Sequence, residues 1–257
     1  MRATGRTLAL VASRDTPAAL LAGLLRADAA RPLLTFYDDA TGDRVELSVA
    51  TFDNWVAKTA NLLQGDLAVA PGDHVGVTLP VHWQAAVWVF ACWAAGAAVV
   101  PGTRDDVAVA VLGPEQVRSA EESTAGEVVA LSLRPLGGGF VDPPPGRVLD
   151  YAVEVPGQGD RFTPYAPVGP DTVGGVEDGS AASLADLVAA AHMRAHRRGL
   201  AAGERVLSTA SPATYAGALD TLLIPLALGG SVVLVRNPDP ARQARRLDEE
   251  RVGTVLD

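Results

Sequence analysis

Pro71-Gly72-Asp73-His74-Val75, an apolar stretch and then Ala95-Gly96-Ala97-Ala98-Val99-Val100 decide the fold, because the same order returns as Ala202-Gly203-Glu204-Arg205-Val206 and Gly229-Gly230-Ser231-Val232-Val233-Leu234. Gly72 and Gly203 are 131 residues apart, as are Val75 and Val206, and Gly96 and Gly230 are 134 apart. Self-similarity held over such a distance indicates one supersecondary unit used twice. Each copy reads as a turn of glycine plus an acid, a short β run, an apolar helix, glycine and a β-branched run. Two such βαβ units predict an α/β fold of two similar α/β subdomains, with mainly parallel sheets flanked by helices.

In the first copy the strand Val75 to Leu79 is ended by Pro80, and the helix Trp83 to Ala95 has no polar face, so it is expected inside the molecule. No Asp, Glu, Lys or Arg occurs between Asp73 and Arg104. The strictly apolar part, Ala85 to Val100, is nevertheless shorter than the ~20 residues a bilayer requires. The matching helix of the second copy carries Asp220 and Pro225, so no membrane role is expected.

Outward from the repeats, Thr16 with Pro17 starts a helix running to about Ala29. Leu33 to Tyr37 and Arg44 to Leu47 read as a hairpin, and Thr51 as the cap of a helix over Phe52 to Leu63. Val107 to Leu112 is a further strand and Glu115 to Glu122 a short helix. Only Pro101 to Asp106 separates it from Val100, too little for a parallel crossover, so these two strands are antiparallel or non-adjacent. The segment Arg134 to Pro170 is rich in proline and glycine and cannot be regular helix, though Val148 to Val155 suits a strand. Ser183 and Asp186 form a capping box for a helix to Arg198; Pro240 to Arg251 is amphipathic, and Val252 to Leu256 is a last strand. This divides the chain into a first subdomain (1–133), a connection (134–170) and a second subdomain (171–257).

A net charge of −9 excludes nucleic acid as partner, because phosphates require a basic face. Cys92 is the one cysteine and its apolar neighbours make it a packed thiol, in keeping with a reducing compartment. The N-terminal apolar stretch, Leu8 to Ala12, is too short for a secretory signal, so the expected location is the cytoplasm. His192 and His196 stand four apart on a helix, as in metal sites, but Arg194, Arg197 and Arg198 surround them with positive charge, and a solvated basic helix end is the reading adopted. Hydrolase, dinucleotide and Walker motifs do not occur.

Leu47-Ser48-Val49-Ala50-Thr51-Phe52-Asp53, the Pro71-Gly72-Asp73 turn, Leu79-Pro80 and Ala95-Gly96-Ala97-Ala98-Val99-Val100-Pro101 resemble the N-terminal part of the AMP-forming adenylating enzymes: acyl-CoA synthetases, nonribosomal peptide adenylation domains and firefly luciferases. The second copy resembles that family's next region, and the family's large domain has two similar α/β halves. The resemblance implies a phosphate loop, Thr-Ser-Gly-Thr-Thr-Gly-x-Pro-Lys-Gly, before the helix Leu184 to Arg198. The slot here holds Pro170 to Gly179, in which only Gly175 and Gly179 match and Asp178 takes the place of the lysine. Glu177 and Asp171 add further negative charge, which opposes a triphosphate. The one lysine, Lys58, lies on an early helix, and the family's later adenine, ribose and catalytic-lysine motifs do not occur in these 257 residues. In the family's acyl-pocket loop this chain has Ser211-Pro212-Ala213-Thr214-Tyr215, with Tyr215 at the pocket position; the alternative is a tyrosine packed at a strand-to-helix turn.

The sequence therefore predicts a non-catalytic relative of these enzymes, with no cofactor or metal, that binds an acyl or CoA-like ligand or a protein partner. A subunit of a split adenylate-forming ligase, completed by a separate chain, is the alternative, and a pure interaction protein a third.

Overall fold

The computed structural model describes residues 15–102 and 106–256. The elements are, in chain order, α1 Pro17–Asp28, β1 Pro32–Asp38, β2 Asp43–Ser48, α2 Val49–Gln64, β3 His74–Thr78, α3 Trp83–Ala95, β4 Ala98–Pro101, β5 Val109–Leu112, β6 Glu127–Ala130, β7 Val148–Asp150, α4 Tyr151–Glu154, β8 Val173–Glu177, β9 Ser180–Ser183, α5 Leu184–Arg197, β10 Arg205–Ser208, α6 Tyr215–Ala218, α7 Ile224–Leu228, β11 Ser231–Arg236, α8 Pro240–Glu249 and β12 Thr254–Leu256. A π-helical turn, Leu219–Leu223, joins α6 to α7. The stretch Leu8 to Ala12 lies outside the described residues.

Both repeats are βαβ units with parallel strands, Val75 opposite Val99 and Val206 opposite Val232. Their turns are built alike. The Gly72 amide donates to Gly96 O at 2.9 Å and the Gly203 amide to Leu228 O at 2.7 Å. The repeated acid closes each turn by accepting from the backbone three residues earlier: Ala70 N to Asp73 Oδ2 at 2.8 Å, and Ala201 N to Glu204 Oε2 at 2.9 Å. The glycine that ends each helix, Gly96 and Gly229, has φ of +82° and +65°, a region that side chains with a Cβ disfavour.

The strands sort into two sheets, β12-β10-β11-β1-β2 and β7-β6-β5-β3-β4-β8-β9. Apolar residues of both sheets and of α1, α2, α3, α5 and α7 form one continuous core. Buried on every side between the sheets, α3 needs no polar face. Alternation along the strands puts Val109 and Val111 in that core, and Ala110 and Leu112 on the opposite face with Val117 and Val128. On the outer face of the five-stranded sheet, Leu207, Val233 and Val235 pack with Leu247 of α8.

The sheets do not follow the three sequence segments. Strand β1 pairs in parallel with β11 (Leu34 opposite Val232), so the first hairpin belongs to the second repeat's sheet. The β8–β9 hairpin extends the first repeat's sheet through Gly175 opposite Val99, and β7 extends its other end. Strand β1 is buried on both faces, which takes a central position that a two-stranded hairpin cannot give it. Strands β4 and β5 are non-adjacent, with β3 between them.

Local differences have local causes. Ser48, not Thr51, caps α2, accepting from Thr51 N at 3.1 Å, so the helix begins at Val49. The strand expected over Val148 to Val155 stops at Asp150, whose carboxylate accepts from Ala152 N at 3.0 Å and starts α4. The segment Val117–Glu122 is a 3-10 helix.

The capping box at α5 is present: Asp186 N donates to Ser183 Oγ, and Ser183 N to Asp186 Oδ2, each at 3.1 Å. Ser183→Ala is expected to cost about 1 kcal/mol. Hydrogen bonds from the Ser183 hydroxyl and amide hold the Asp186 carboxyl below its usual range, so the contribution is present above pH 3.8 and lost as pH falls through the depressed value. Urea titrations across pH should show a smaller acid loss in the variant.

Candidate functional site

The crevice between the two sheets forms where strands of both end. Strand β3 ends at Thr78, β4 at Pro101 and β11 at Arg236, while the Ser211–Thr214 loop follows β10. These residues line a cavity of about 310 Å³ that also touches Pro114 and Gln116. The loop after β3 leads to α3 on one face of its sheet, and the loop after β5 leads to the other face. A crevice at the carboxyl ends of parallel strands where connections diverge is the usual ligand position in open α/β sheets.

Thr78 Oγ1 is buried there with no hydrogen-bond partner among the described residues. Ser211 Oγ donates to Leu79 O at 3.1 Å, tying one sheet's loop to the other's. Thr214 caps α6: its hydroxyl accepts from Gly217 N and donates to Ser211 O, each at 3.1 Å. Arg236 lies 3.7 Å from Asp38. Behind the crevice, His82 caps α3 by accepting from Gln84 N at 3.2 Å and meets the Phe36 ring edge-on at 4.6 Å. Burial, with a smaller contribution from Arg236, pushes its pKa down to about 3, so the imidazole is neutral at pH 7.

A narrower cleft of about 20 Å³ adjoins this cavity, sharing Pro101, Ala213 and Thr214 with it. Gly175, Glu177 and Tyr215 all line this cleft. Burial raises the Tyr215 phenol pKa, and Asp186 and Glu177 raise it further. Gly174 permits the close approach of α5, because a Cβ there would lie 2.6 Å from Leu184 Cδ2; its carbonyl accepts from Trp93 Nε1 at 2.8 Å.

Asp178 and Gly179 do not join this group. They form the exposed turn of the β8–β9 hairpin, with φ of +49° and +77°, and Glu177 pairs directly with Ser180. Within the ten-residue slot of the expected phosphate loop, Val173–Glu177 is strand, Pro170 to Thr172 lead into it, and Asp178 and Gly179 form the hairpin turn. Sequence reasoning missed Thr78 and Arg236, although the carboxyl-end rule applied to β3 and β11 points to both.

Among the described residues no three His, Cys, Asp or Glu side chains are grouped to hold a metal ion. His192 is half-buried and His196 exposed. Cys92 is fully buried, and burial pushes its thiol pKa far up. No helix among the described residues is long and apolar enough to cross a membrane.

The AMP-binding enzyme family profile matches residues 25–108. The TIGR03089 family protein of Mycobacterium tuberculosis is 42% identical over 242 residues, covering 93% of this chain and 96% of that protein. Among solved structures, an acyl-CoA synthetase of Brucella canis superposes on 92% of this chain with a TM-score of 0.74 at 17% identity, and the nonribosomal peptide synthetase FmoA3 on 93% with 0.65 at 22%. This chain spans 46% of that synthetase chain and 25% of that peptide synthetase chain. The shared frame, the AMP-binding match and the near full-length mycobacterial relative together make this chain a member of the adenylate-forming superfamily, in the same family as that mycobacterial protein.

Proposed function

We propose that this protein is a non-catalytic member of the superfamily that holds a small acyl or CoA-like ligand in the crevice between its sheets. The observation that carries this reading is the β8–β9 turn. Where a triphosphate would need an open loop of amides, hydroxyls and a lysine, there is a two-residue turn with Asp178 at its tip and Glu177 beside it. The strand termini around the crevice of about 310 Å³, with a Thr78 hydroxyl that has no partner among the described residues in its wall, support a ligand there.

The protein alone is expected to give no ATP-dependent pyrophosphate exchange with fatty or amino acids, and to show a thermal shift with acyl-CoA but none with ATP. Exchange by the isolated chain removes the proposal. Thr78→Val should leave the stability of the free protein within about 1 kcal/mol, because it removes a buried unpaired hydroxyl, and should weaken acyl-CoA binding.

A second reading, a subunit of a split ligase, is supported by the likeness of the fold to an acyl-CoA synthetase. Exchange that appears only when a second chain is added would establish it. A flat thermal response to acyl-CoA, AMP and ATP would favour a protein partner instead.

A further inference from the structure

A separate cavity of about 500 Å³ lies on the other side of α3, bounded by α1, α2 and the 160–168 segment. Its volume is that of a small-molecule site. Leu21 and Leu25 of α1, Val56 of α2, and Phe90 and Trp93 of α3 give it an apolar wall, with Phe162 on the strap across it. The Phe90 and Trp93 rings stand edge to face with centroids 5.7 Å apart.

Two acids line this space, and they are not equivalent. Asp160 is paired with Lys58 at 2.8 Å. Asp53, half-buried on α2, has no ion-pair or hydrogen-bond partner among the described residues, and burial raises its carboxyl pKa. Arg161 also lines the cavity, but its residue is exposed. An unpaired carboxylate against an apolar and aromatic wall is costly to the protein alone and complementary to one kind of ligand. A cation with an apolar body would pair with Asp53, place its hydrocarbon against the leucines and, near the rings, gain cation–π attraction.

We propose that this cavity is a binding site for amphiphilic cations, with Asp53 as the charge-recognising residue. It is independent of the crevice and of the acyl-ligand reading.

The test uses decylammonium, decanol and decanoate as probes, followed by titration calorimetry on the full chain at pH 7. Decylammonium is expected to bind at one site, and decanoate at least about tenfold more weakly, as one charge-assisted contact implies. Asp53→Asn should lower decylammonium affinity about tenfold and leave decanol unchanged, since the amide keeps the shape and removes the charge. Ala22→Trp, which fills the space from α1, should abolish binding of decylammonium and decanol while the thermal unfolding transition remains cooperative. The proposal is overturned by absent decylammonium binding, by equal affinity for the amine and the acid, by an Asp53→Asn variant that binds the amine as the parent does, or by undiminished binding to Ala22→Trp.

Discussion

Gly217→Ala is expected to lose about 4 kcal/mol of stability or more, or to fail to fold, in a urea titration against the parent. A Cβ at this position would lie 1.9 Å from Ser211 O and 2.8 Å from Thr214 Oγ1. No rotamer relieves this, because the nearest atom is backbone and the methyl has no freedom. Relief requires the Ser211–Thr214 loop to withdraw from α6, breaking the Thr214 cap and disturbing the Ser211 contact to Leu79 across the crevice. Ala216→Gly, one residue earlier, is the control: it should cost only the ~1 kcal/mol of a helical glycine, and a similar loss in both variants would show that the close approach is not the cause.

The second large effect concerns Arg194 and Asp220. Asp220, on the π-helical turn, has a side chain only 3% exposed, and its carboxylate meets Arg194 Nη2 at 2.6 Å, with Nε also at 2.6 Å. Arg194→Met leaves that carboxylate buried and unpaired, and should cost about 3 kcal/mol. The Arg194→Met, Asp220→Leu double variant should recover most of the loss, because an apolar pair does not carry the desolvation penalty. If the double variant is as unstable as the single one, the pair contributes more than neutralisation of a buried charge.

The caps at Thr16 and Ser183 and the hairpin over residues 32–48 were legible in the sequence because each is closed within one short segment, and the repeats because the same order of residues returns 131 positions later. The distribution of strands was not. Nothing within Leu33 to Tyr37 specifies Val232 to Arg236 as its neighbour, a pairing that tertiary packing alone selects. Strand β6, Glu127–Ala130, is too short to read from the sequence, because its three buried residues, Val128 to Ala130, show no alternation. Of the candidate site, Gly175 and Tyr215 line one cleft, while Asp178 and Gly179 form the hairpin turn outside its lining. The family resemblance implies a loop over Pro170 to Gly179, and the ladder between β8 and β9 makes Val173–Glu177 of it strand.

The seat of β1 between β2 and β11 has a consequence for synthesis. A ribosome releases the β1–β2 hairpin early, yet the strand that covers its open edge arrives about 200 residues later, Val232 for Leu34. Until then the edge of β1, which carries Leu33, Leu34 and Phe36, has backbone groups on one side that no other strand pairs. Such long-range closure is slow, and it exposes the nascent chain to misassociation during the wait. Slower translation through residues 184–236 is therefore expected to lower the fraction of product recovered folded, because it prolongs the time for which that edge lacks its partner strand.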